Sequence, residues 1–92
     1  MAFFILIIMN IDELFKSAVE RVQTLDTRPS NSNLLKMYSL YKQATEGNVQ
    51  GDRPGGFDFK AIAKYDSWAS LRSMSKEDAM QSYIDLVNSL VD

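Results

Sequence analysis

Apolar residues recur at intervals of three and four along nearly the whole chain from Asn10 onward, and this spacing restricts the possible folds more than any other feature. Such intervals place side chains on one face of an α-helix. Outside the first nine residues there is no alternation of apolar and polar residues, the pattern of a half-buried strand. The sequence therefore predicts an all-α protein.

Local signals place the ends of the first helix. Asn10 and Glu13 have the spacing of a capping box, in which each side chain bonds a free backbone N–H of the first turn. Pro29 cannot continue a helix, because it lacks a backbone donor and pushes the preceding residue out of helical geometry. We predict a first helix over about residues 11 to 25.

The second helix is expected between two further signals. Ser30 or Asn31 can cap its amino end, since short polar side chains accept hydrogen bonds from the first turn. Gly47 supplies the left-handed residue that commonly closes a helix, so the helix should end at about Glu46.

Two more helices follow a loop rich in glycine. The third should begin near Asp58 and end at about residues 72 to 74, and the fourth should open after Ser75, a good cap followed by acidic residues. The expected buried residues of the third helix are Ile62, Ala63, Tyr65, Trp68 and Leu71. The prediction is thus a small bundle of four helices.

Composition limits the function. The 92 residues suit one domain. The chain has neither cysteine nor histidine, which removes thiol chemistry, the usual catalytic bases and most zinc sites, so we predict neither an enzyme nor a metal site. The net charge of −2 gives no general attraction to nucleic acid, and none is expected as a partner.

Residues 1–9 form an apolar amino-terminal segment that is too short to span a membrane. Three interpretations are open: an extension preceding a native start at Met9, which we favour; a transient membrane or self-association contact through residues 3–8; or a segment folded back on the core. Residues 10–92 would then form the single domain, otherwise monomeric.

Two groups of side chains could form a site. Tyr38, Tyr41 and Lys42 share one helical stripe, and Lys60 and Lys64 lie one turn apart on the third helix. Like charges at that spacing repel, so an anion between the lysines would be stabilising. The competing interpretation is a solvated amphipathic surface, since such side chains often border a core with their tips in water.

From about Leu14 to Leu90, the amino-acid sequence resembles that of the acyl-coenzyme A binding protein family. The matching segments are Tyr38-Ser-Leu-Tyr-Lys-Gln-Ala-Thr45, Arg53-Pro-Gly55, Asp58-Phe-Lys60, Ala63-Lys-Tyr-Asp66, Trp68, Ser75-Lys-Glu-Asp-Ala-Met80 and Tyr83-Ile84. The resemblance implies an up-down-down-up four-helix bundle. It also implies a cytoplasmic carrier that binds long-chain acyl-CoA without altering it and without a cofactor.

The resemblance also implies roles for individual residues. Those matching the family's contacts to the CoA head group are Tyr38, Tyr41, Lys42, Lys60, Lys64 and Tyr83. Those expected to border the groove for the acyl chain are Leu34, Leu35 and Met37. Converging ammonium and phenol groups suit the phosphates of CoA, and tyrosine rings can stack on adenine.

The chain departs from the family pattern at three positions. Gln23 and Ile62 stand where basic residues are frequent, which would weaken contacts to the head group, and Tyr65 stands where tryptophan is common. Two alternatives to an independent carrier are an accessory domain of a larger lipid-metabolism protein and a helical module that binds a partner helix.

Overall fold

The computed structural model describes residues 10–91 and contains four helices: α1 (Ile11–Val22), α2 (Asn31–Glu46), α3 (Phe59–Ala69) and α4 (Lys76–Leu90). No strand occurs within this range. The all-α prediction is confirmed. The expected apolar segment, residues 1–9, and any membrane or self-association contact made by residues 3–8 lie outside the described residues, so they stay predictions.

Each helix begins at a polar capping residue, as the sequence predicts. Asn10, Ser30, Asp58 and Ser75 each accept, on a side-chain oxygen, a hydrogen bond of 2.9–3.1 Å from the backbone N–H three positions later. These bonds satisfy donors that the first turn of a helix leaves free. At the end of α2, Gly47 adopts a φ of 80° while its N–H bonds to the carbonyl of Gln43.

Two predicted helix ends are wrong by several residues. α1 ends at Val22 instead of about residue 25, and α3 ends at Ala69 instead of residues 72–74. After both helices, backbone N–H groups such as those of Thr24 and Leu71 bond to carbonyls three residues back, which forms tight turns. After α3 the chain then takes a positive φ of 80° at Ser73, which no helix can include.

Side-chain contacts show that α1 and α4 run in the same direction. The rings of Phe15 and Tyr83 meet at 5.1 Å in a T-shaped arrangement. Further along both helices, the Arg21 guanidinium donates a 2.9 Å hydrogen bond to Asn88. Later residues of α1 therefore meet later residues of α4.

The direction of α2 is opposite to that of α4. The ring centroids of Tyr41 and Tyr83 are 6.4 Å apart, whereas Gln43, later in α2, bonds to the carbonyl of Met74, just before α4. Later residues of α2 therefore lie beside earlier residues of α4, so the two helices are antiparallel.

α3 runs in the same direction as α2. The Lys64 ammonium lies 5.1 Å from the centre of the Tyr38 ring, and the Lys42 ammonium lies 5.0 Å from the centre of the Trp68 ring. Later residues of α2 therefore meet later residues of α3, so these two helices are parallel. The four helices run up, down, down and up in chain order.

The core lies among α1, α2 and α4. The buried residues that form it are Phe15, Ala18, Met37, Leu40, Ala44, Ala79, Tyr83, Ile84 and Val87. α3 contributes no fully buried side chain, which corrects the predicted buried set. Ala63 is exposed, while Ile62, Tyr65, Trp68 and Leu71 are half-buried. The reason is that α3 packs on α2 and leaves much of its surface open.

A buried amide network fixes the end of α2 to the turn before α4. The Gln43 side chain is fully buried, and its Nε2 donates to the carbonyl of Met74 at 2.8 Å and to the Asn48 side chain at 2.9 Å. The same Asn48 oxygen accepts a 2.9 Å bond from the backbone N–H of Ser73. Since buried polar groups are costly without partners, this network specifies the arrangement of both loops.

Within residues 10–91, none of the helices has the length and apolar character needed to cross a bilayer. The same range contains no group of three or more acidic side chains placed to hold a metal ion.

Candidate functional site

A groove of about 490 Å³ lies between α2 and α3. Its lining residues are Arg28, Asn31, Leu34, Leu35, Tyr38, Lys60, Ala63 and Lys64. Three cationic side chains and two leucines line this one cleft, and no carboxylate is among the lining residues. The groove therefore offers apolar contact and positive charge together.

The centre of the groove is a contact between its two helices. The Lys64 ammonium lies 5.1 Å from the centre of the Tyr38 ring, within the range of a cation–π interaction. The contact orients the lysine along the ring face while leaving its N–H donors available. Lys60, one turn earlier on α3, is exposed. The expected pair of lysines on α3 thus faces the same cleft as Tyr38.

Lys42 lies one turn further along α2 and does not line the groove. Its ammonium is ion-paired with Glu46 and rests 5.0 Å from the centre of the Trp68 ring. The hydrogen bond to Glu46 is the main reason that the pKa of Lys42 is raised, so the side chain is cationic at neutral pH. The indole is held in turn, because its Nε1 donates to the carbonyl of Gly47 at 2.8 Å.

Tyr41 and Tyr83 form an aromatic cluster with Phe15, where α2 meets α1 and α4. Tyr41 stacks on Phe15 at 5.9 Å with 42% of its surface exposed, whereas Tyr83 is 5% exposed. Burial raises the pKa of Tyr83, so its phenol stays neutral at physiological pH. Neither tyrosine lines the groove.

The three residues expected at the acyl groove divide in a similar way. Leu34 and Leu35 line the cleft, whereas Met37 is 6% exposed and belongs to the hydrophobic core. A helix turns by about 100° per residue, so Met37, two positions after Leu35, is rotated by about 200° from it and faces the opposite way. The Met37 side chain therefore lies on the core side of α2 and does not line the groove.

The loop before α3 is tied to that helix by polar contacts. Arg53 makes two hydrogen bonds to Asp66, at 2.7 and 2.9 Å, and the Tyr65 hydroxyl donates to the carbonyl of Gly51 at 2.9 Å. The bidentate bond lowers the pKa of Asp66 and raises that of Arg53. Because the pair is exposed, its main effect is to orient the loop.

The sequence prediction missed three residues of the groove: Arg28, Asn31 and Ala63, the last of which was expected in the core. Arg28 and Asn31 line it, and the guanidinium donates a 3.1 Å hydrogen bond to the amide oxygen of Asn31. Asn31 could have been found, because it shares a helical stripe with Leu34, Leu35 and Tyr38. Arg28 lies before the helix, where no periodicity indicates which way a side chain points.

A second, smaller cavity of about 210 Å³ lies where the loop after α1 meets the end of α4. Its lining residues are Thr24, Leu25, Asp26, Thr27, Leu90 and Val91. It contains none of the residues predicted to form a site and no cationic group. The groove between α2 and α3 is therefore the candidate site.

The fold and this groove define a small helical binding protein whose cleft combines basic and apolar side chains. A family model described as acyl CoA binding protein matches residues 12–87. The chain belongs to the acyl-CoA-binding protein family.

Individual relatives agree with this assignment. Acyl-CoA-binding protein homolog 1 of Caenorhabditis elegans is 44% identical over 77 residues, which cover 84% of this chain and 90% of the relative. The crystal structure of acyl-CoA-binding protein 2 of Oryza sativa superposes with a TM-score of 0.83 at 42% identity, covering 88% of this chain and 90% of that one. The expected up-down-down-up bundle of this family is confirmed.

The same domain also occurs within a larger protein. Enoyl-CoA delta isomerase 2 of Rattus norvegicus is 49% identical over 76 residues, which cover 83% of this chain but only 19% of the isomerase. The likeness therefore concerns the acyl-CoA-binding domain alone.

Proposed function

We propose that this protein binds long-chain fatty acyl-CoA thioesters non-covalently in the groove between α2 and α3, and that it carries them through the cytoplasm without chemical change and without a cofactor. The observation that supports this most directly is the shared lining of the groove, where Lys60 and Lys64 lie beside Leu34 and Leu35. Family membership supports the class of ligand.

The head group of CoA carries a ribose phosphate and a pyrophosphate, so it requires cations and hydrogen-bond donors. Arg28, Lys60 and Lys64 supply them in the groove, and Lys42 supplies another beside it. Charge-assisted hydrogen bonds to phosphate are about twice as strong as neutral ones. The Tyr38 ring, now covered by Lys64, offers a face on which an adenine can stack once the lysine turns to a phosphate.

The acyl chain needs an apolar surface of its own. Leu34 and Leu35 are half-buried in the free protein and line the groove, so a bound chain would cover surface that is now partly in water. Each buried CH₂ contributes about 0.8 kcal/mol. A site that holds both ends of the ligand should therefore discriminate strongly against either half alone.

Calorimetric titration of the full chain with palmitoyl-CoA, free CoA and palmitate in parallel tests this proposal. We expect tight binding of the thioester and much weaker binding of each half, because only the thioester engages the basic and apolar parts of the groove together. Absence of heat with palmitoyl-CoA would reject the proposal and favour a helical module that binds a partner protein. Release of free thiol during incubation would show hydrolysis and reject a carrier.

The ion pair of Lys42 gives a second test. The Glu46 carboxylate is already paired with the Lys42 ammonium, so a phosphate would have to compete for that ammonium. The negative charge of the carboxylate would also repel the phosphate. We expect Glu46→Gln to strengthen palmitoyl-CoA binding by about 1.4- to fivefold, since exposed ion pairs are worth about 0.2–1 kcal/mol. Titration calorimetry would measure the change. Glu20→Gln, on the exposed surface of α1, is the matched control and should leave affinity unchanged.

A further inference from the structure

Phe57 and Phe59 form an exposed aromatic pair at the start of α3. Phe57 is 90% exposed and Phe59 is 70% exposed, and their ring centroids are 6.2 Å apart in a T-shaped arrangement. Single exposed apolar residues are common on protein surfaces, but two neighbouring phenylalanines in water form a patch that requires a reason.

Packing against the rest of the protein does not explain why Phe57 and Phe59 are present at this position. A hydrophobic residue just before a helix cap often packs on the first turn, which would place Phe57 against Ile62. At 90% exposure Phe57 makes no such contact, and within residues 10–91 the aromatic contact of each ring is with the other ring. Neither phenylalanine belongs to the hydrophobic core.

The surroundings of the pair are basic, although the chain as a whole has a net charge of −2. Lys60 follows Phe59 directly and lines the groove with Lys64 and Arg28, where no carboxylate is present. Two carboxylates of the preceding loop and helix cap oppose this charge, those of Asp52 and Asp58; Asp58 accepts a 3.1 Å hydrogen bond from the backbone N–H of Ala61, and the amino end of α3 partly offsets its charge. Nearby Arg53 and Asp66 neutralise one another.

We infer that Phe57 and Phe59 dock this protein on anionic phospholipid bilayers, with the rings in the headgroup region and Lys60, Lys64 and Arg28 beside the anionic lipids. Aromatic side chains favour that interface, and each nearby basic residue adds attraction to an anionic surface. The inference deepens the proposed function and rests on it, since a long-chain acyl-CoA is a single-chain amphiphile that partitions into bilayers. Docking would bring the groove to its ligand.

The test measures co-sedimentation of the full chain with phosphatidylcholine vesicles containing about a third phosphatidylserine, without acyl-CoA. We expect Phe57→Ser combined with Phe59→Ser to lower the partition coefficient by at least about tenfold, which corresponds to part of the transfer free energy of two phenylalanines. Since both side chains are exposed, the variant should keep its helical circular dichroism. Retention of vesicle binding within about twofold of the original chain would overturn the inference.

Matched variants distinguish this docking surface from contacts made elsewhere on the chain. Phe3→Ser combined with Phe4→Ser makes the same change in residues 1–9, and loss of vesicle binding by that variant alone would overturn the inference. The inference would also be overturned if the Phe57 and Phe59 variant differed from the original chain in oligomeric state, measured by analytical ultracentrifugation without vesicles, but not in vesicle binding. The pair would then contact a second copy of the chain.

Calorimetry with palmitoyl-CoA keeps the two proposals distinct. Loss of palmitoyl-CoA binding with full retention of vesicle binding by the double variant would assign the phenylalanines to the ligand and reject docking. If the original chain binds vesicles through this pair but does not bind palmitoyl-CoA, the docking surface stands and the carrier function fails.

Discussion

Replacing Lys42 with alanine is expected to weaken binding of palmitoyl-CoA by about 1.5–3 kcal/mol, or roughly 10- to 150-fold in the dissociation constant. That range applies to a hydrogen bond with a charged partner. The ammonium lies beside the groove, over the Trp68 ring, and its raised pKa keeps it cationic. Because Glu46 already pairs with it, part of the gain on binding phosphate is offset, which favours the lower half of the range.

Titration calorimetry at one pH and salt concentration would measure this effect. Lys36→Ala is the matched control, because Lys36 is an exposed lysine of α2 that does not line the groove. It should leave affinity within about twofold of the original, since surface charges away from a site have small effects. Equal affinity of the folded Lys42 variant and the original chain would remove Lys42 from the site.

The largest expected effect on stability comes from Phe15. Its side chain is 7% exposed and contacts both Tyr41 and Tyr83, so it joins α1 to α2 and α4. Phe15→Ala should lower the free energy of unfolding by about 3–5 kcal/mol, through lost burial and the cavity left behind. Since small domains have only about 5–15 kcal/mol in total, the variant should be close to unfolding.

Urea denaturation followed by circular dichroism would measure the loss. The midpoint should fall by at least about 1 M, given usual slopes for small proteins. Phe59→Ala makes the identical chemical change at a position that is 70% exposed, and its effect should stay within about 0.5 kcal/mol. Similar midpoints for the two variants would contradict the assignment of Phe15 to the core.

Local signals predicted the helices better at their beginnings than at their ends. Ser30 and Ser75 were predicted as caps because a side-chain hydroxyl needs only the backbone three residues ahead of it. The ends of α1 and α3 were wrong because apolar residues such as Leu25 and Leu71 continue the helical spacing through turns. Periodicity cannot distinguish an apolar residue in a helix from one in the tight turn that follows it.

The candidate site was predictable only where its residues share a helix stripe. Leu34, Leu35 and Tyr38 line the groove, and so do Lys60 and Lys64. The division of α2 between the groove and the aromatic cluster of Tyr41 and Tyr83 depends on where α3 and α4 pack, which no local pattern contains. For the same reason, the pairing of Lys42 with Trp68, 26 positions away in the sequence, could not be predicted.

The position of α3 has a consequence for motion. Because α3 packs on α2 and has no fully buried side chain, separating it from the other helices exposes little apolar surface. The free energy of such a local opening should be well below that of global unfolding, whereas opening α1, α2 or α4 disrupts the common core. Amide hydrogens of α3 should therefore exchange with solvent sooner than those of the other helices. A ligand bound between α2 and α3 would contact both helices. It would therefore stabilise α3 against local opening and slow the exchange of its amide hydrogens.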